Sequence, residues 1–116
     1  MTTPLDRALA HGRRFVAEQS IRSVAPTGTR ADILAPMPAA LPATGMDPAA
    51  VVDLIAQAAE PGLMGNLSGR FFAWVKGGAL PAAHATDVMA SLWDQNAVLA
   101  ATSPASAVLE EVTGRL

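Results

Sequence analysis

The run Asp47-Pro48-Ala49-Ala50-Val51-Val52-Asp53-Leu54-Ile55-Ala56-Gln57-Ala58-Ala59-Glu60-Pro61-Gly62 carries its own start and stop. Asp47 is an acidic N-cap, whose carboxylate can accept from the unpaired amides of a first helical turn. Pro48 fits that turn because the N–H it lacks would have had no partner there. Val51, Val52, Leu54, Ile55, Ala58 and Ala59 give the helix an apolar face, and Pro61-Gly62 ends it.

The same signals recur outward from this run. Thr3-Pro4 opens an N-terminal helix with Leu5, Ala8, Leu9, Phe15 and Val16 roughly on one face. Gly12 weakens the middle of that helix by about 1 kcal/mol relative to alanine. Between the two helices, Val24 to Pro48 is broken by Pro26, Pro36, Pro38 and Pro42, with Gly28 and Gly45 between them. Thr29 to Leu34 can form a short helical turn inside this extended, Pro-rich connector. After Gly62 a Gly/Asn/Ser loop reaches Gly69. Arg70-Phe71-Phe72-Ala73-Trp74-Val75 then reads as a strand or a buried extended segment. A further helix is expected from about Leu80 to Leu92, with Pro81 in its first turn. The last starts at Ser103-Pro104 and runs through Val108, Leu109 and Val112. The fold class is mainly α. Because no stop signal follows Gly114, the last helix is expected to be cut open by the terminus, as in a piece of a longer protein.

Composition agrees with an arm more than with a self-sufficient globule. The chain has 116 residues, 51% of them hydrophobic but only 4% aromatic. Much of that apolar content is alanine, which favours helices but buries little surface per residue. A net charge of -2, with Arg13-Arg14 the only adjacent basic pair, gives no cationic stripe for nucleic acid or an anionic membrane. Cysteine is absent, so disulfides and thiolate metal sites are excluded. His11 and His84 are the only histidines, and no spacing suggests a metal site. Neither a signal peptide nor an apolar run of about 20 residues is present, and a cytoplasmic location is expected.

No complete catalytic constellation can be assembled from these residues. Lys76, the only lysine, is the one place a Schiff base could form, but beside Gly77-Gly78 it reads more readily as a solvated turn residue. Gly77-Gly78 lacks the surroundings of a phosphate-binding fingerprint. His84 and Asp87 share a helix face and could pair. Ser103 reads as an N-cap, and Trp93-Asp94-Gln95-Asn96 as either a pocket wall or a polar helix end beside a core tryptophan.

Three blocks carry a family resemblance. Arg70-Phe71-Phe72-Ala73-Trp74-Val75-Lys76-Gly77-Gly78-Ala79-Leu80-Pro81-Ala82-Ala83 is the first. Ser91-Leu92-Trp93-Asp94-Gln95-Asn96-Ala97 follows, then Thr102-Ser103-Pro104-Ala105 with Leu109-Glu110-Glu111-Val112. In order and spacing these blocks resemble the early region of the group II pyridoxal-phosphate-dependent amino-acid decarboxylases, relatives of the aromatic-amino-acid, glutamate and diaminobutyrate enzymes. The first half of the chain matches that family in style only.

The resemblance implies a fold-type-I α/β enzyme, a lyase acting as an obligate homodimer, whose N-terminal helical arm packs across the partner subunit. By analogy, Trp74, Val75, Lys76 and Gly77 would line the substrate pocket, and Asn96 and Val98 would reach the neighbouring active site. The family's phosphate loop, ring-stacking histidine, ring-nitrogen aspartate and cofactor lysine have no counterpart here, and Lys76 does not stand in the family's His-Lys context. The chain is thus expected to supply dimer interface and pocket wall to an amino-acid decarboxylase, and to be inactive alone. The alternative is a free-standing helical interaction module without catalysis.

Overall fold

The computed structural model describes residues 2–76 and 78–116. Five α-helices and one 3-10 turn account for its regular structure, and no strand occurs among the described residues. The helices are α1 (Pro4–Ala17), α2 (Arg30–Leu34), α3 (Pro48–Ala59), α4 (Pro81–Trp93) and α5 (Pro104–Gly114), with the 3-10 turn at Glu60–Gly62. The mainly α expectation holds. The chain divides into two compact units, Met1–Gly78 and Ala79–Leu116.

In the first unit each helix starts where its capping chemistry says it should. Thr3 Oγ1 accepts from the Asp6 amide at 3.1 Å, and the Asp6 carboxylate accepts from the Thr3 amide at 2.9 Å. Thr29 and Asp32 repeat this reciprocal box at the start of α2. Asp47 Oδ1 accepts from the Ala50 amide at 3.0 Å and opens α3. Helices α1 and α3 run parallel. Arg7 and His11 on α1 both reach Asp53 in α3, while Arg22, beyond the end of α1, reaches Glu60, just beyond α3. Parallel neighbours need a connection that travels back along their length, which is the work of the Pro-rich connector. It is pinned where Pro61 O accepts from the amides of Thr27 and Gly28, at 3.0 and 2.9 Å, and where Ile33 packs on Gly62.

The buried centre is small. Ala58 is fully covered, Gln19 nearly so, and Leu9, Phe15, Val52 and Leu54 are half-buried. Leu5 and Val16, expected on the packed face of α1, are exposed. The contact face follows Arg7, His11 and Phe15, spaced four apart, so that polar groups carry the N-terminal half of the packing.

The second unit is more open. Helices α4 and α5 do not pack on each other. Helix α4 ends at Asp94, whose left-handed backbone (φ 46°) turns the chain. Ser103 stands at the N-cap of α5, as expected, but makes no capping bond. Its buried hydroxyl instead donates to Ser106 Oγ at 2.6 Å. Helix α5 runs to Gly114, and the amides of Arg115 and Leu116 still turn back to the Val112 and Thr113 carbonyls.

Candidate functional site

Two features of the first unit stand out from its surface, and a polar latch positions one of them. Gln19, just past α1, is buried with both ends satisfied: Nε2 donates to Phe15 O at 2.9 Å, and Oε1 accepts from the Leu67 amide at 3.2 Å. The Arg70 guanidinium donates to Arg22 O at 2.6 Å and Gln19 O at 3.4 Å, satisfying carbonyls left open beyond the helix end. Gly65 lies so close to this corner that a Cβ would sit 2.7 Å from Ser23 O. Residues 63–70 are thereby held against the end of α1, and the segment after Arg70 is launched outward.

That segment is the aromatic run. Phe71 is half-buried and packs against Trp74, ring centroids 6.2 Å apart. The next large side chains project into solvent: Phe72 is 93% exposed, Trp74 74% and Val75 fully. Trp74 and Val75 adopt left-handed backbone, φ 54° and 50°. The expectation of a strand or a buried extended segment is therefore corrected to an exposed turn. A β-branched residue at positive φ is an uncommon and strained arrangement.

The second feature is an open apolar groove of about 280 Å³ between α1 and α3. Phe15, Ile55, Ala56, Ala59 and Leu63 form its walls, and Gly12 leaves one side clear. Arg14 stands at its α1 edge and Glu60 at its α3 edge. Beside it, Arg22 lies 4.7 Å over the Phe15 ring and bonds Glu18 and Glu60, while its buried Nε has no partner among the described residues.

Of the residues expected to form a site, Trp74, Val75 and Lys76 are contiguous and exposed on the aromatic turn, and Gly77 lies outside the described residues. Asn96 and Val98 belong to the second unit. There the Asn96 side chain accepts from the Val98 amide at 3.1 Å and its carbonyl accepts from Thr102 Oγ1 at 3.0 Å, so Asn96 shapes its own loop. No hydrogen bond joins His84 to Asp87, and Trp93 is half exposed, not a core residue.

Lys76 is exposed, forms no ion pair among the described residues, and does not line the groove. Among the described residues no cluster of three or more His, Asp or Glu could hold a metal, and no helix is long and apolar enough to cross a membrane. The residues that organise the first unit, Gln19, Arg70 and Asp53, escaped the sequence reading. Asp53 did leave a trace, as the one charge inside a largely apolar helical run. No family model, curated protein or solved structure matches this chain.

Proposed function

We infer that the chain is the N-terminal part of a pyridoxal-phosphate-dependent amino-acid decarboxylase, contributing dimer interface and one wall of a substrate pocket. It has no catalysis of its own in this reading. The supporting observation is where the exposed apolar residues fall. Phe72, Trp74, Val75, Leu80, Leu92 and Val98, all in or beside the blocks that carry the resemblance, are 59% exposed or more. Large apolar side chains gathered in solvent, as Phe72, Trp74 and Val75 are on one turn, favour being covered by a partner. The cofactor would supply the electron sink for decarboxylation. The residues of this chain would exclude water from the pocket and orient the substrate side chain, with Trp74 the largest group available for that role.

The alternative, a free-standing helical interaction module, draws on the first unit's own cross-links, Arg7–Asp53–His11 and Gln19–Arg70, which owe nothing to another chain. The deciding experiment is to isolate the protein from its native source, reduce it with borohydride and map the product. The decarboxylase reading expects a mass well above 11.9 kDa and a pyridoxyl group on a lysine outside these 116 residues. A native mass of 11.9 kDa without cofactor would sink it in favour of the interaction module.

A further inference from the structure

We draw no further inference here: the strongest candidate, the apolar groove between α1 and α3, carries opposite charges at its two edges, Arg14 and a Glu60 already bonded to Arg22, and nothing in the structure shows what covers it.

Discussion

The two units use the same materials, alanine-rich helices opened by proline, and reach different degrees of order. In the first, helix ends are tied down from outside: Arg70 and Gln19 close the end of α1, and Asp53 holds α1 to α3. In the second, α4 and α5 keep to themselves, and the polar bonds run within a helix or its adjoining loop. Alanine faces bury too little to hold helices together unaided. Polar cross-links between distant parts of the sequence therefore decide whether such helices behave as one body.

The sharpest way to break this comparison is to make one substitution in both units. Gly65→Ala puts a methyl 2.7 Å from the Ser23 carbonyl, a backbone atom that cannot rotate away. Overpacking of this kind costs about 1–3 kcal/mol, and it should raise amide exchange through α1 and α3 together. Gly114→Ala meets nothing within 4 Å at the last turn of α5. Alanine is the better helix former, so α5 exchange should slow slightly, by no more than about 1 kcal/mol. Hydrogen exchange resolved by residue is the right measurement, since two units need not share one unfolding transition. Equal, small effects at both glycines would erase the distinction.

What could be read from the sequence follows the same division. Helix starts were legible because a cap needs only neighbours in the chain: Thr3-Pro4, Thr29, Asp47-Pro48, Pro81 and Ser103-Pro104 all stand where helices begin. Interactions across 40 to 50 residues were not. Counting only apolar residues put Leu5 and Val16 on the packed face of α1 and passed over Arg7 and His11, because nothing local pairs them with Asp53. The aromatic run misled for a related reason. A short apolar stretch looks the same whether it ends in a core or in solvent, and it is Arg70, fixed to carbonyls just past the end of α1, that turns it outward. Of the expected site, Trp74 to Lys76 do share one exposed turn, whereas Asn96 serves its own loop.

A smaller effect tests the clamp itself. Asp53→Ala removes the acceptor for Arg7 at 2.6 Å and for His11 at 2.8 Å. All three side chains are a quarter to a half exposed, so water competes for each bond, and the loss should be about 1 kcal/mol. The cross-link account expects α1 and α3 to lose exchange protection together while α4 and α5 are unchanged. Protection lost in α3 alone would mean that the apolar contacts suffice and the clamp is incidental.

The smallest effect concerns acid. Hydrogen bonds from the Thr3 hydroxyl and then the Thr3 amide hold the Asp6 carboxyl below its ordinary value of 3.8. For Asp32 the Thr29 amide acts first and the Thr29 hydroxyl second, in the same direction. A carboxylate whose folded pKa is depressed contributes stability above its unfolded pKa and loses it as pH falls through the folded value. Helices α1 and α2 should therefore begin to fray from their N-termini below about pH 4. Helices α4 and α5 start at Leu80 and Ser103 with no side-chain cap bond, and have no cap of this kind to lose. Carboxyl-carbon chemical shifts across an acid titration read Asp6 and Asp32 directly, and Thr3→Val should return Asp6 toward 3.8. An Asp6 that already titrates at 3.8 in the unaltered chain would mean that its capping box is open in solution. The order of the first unit would then start at the Asp53 clamp, and α1 would depend on α3 from its first turn.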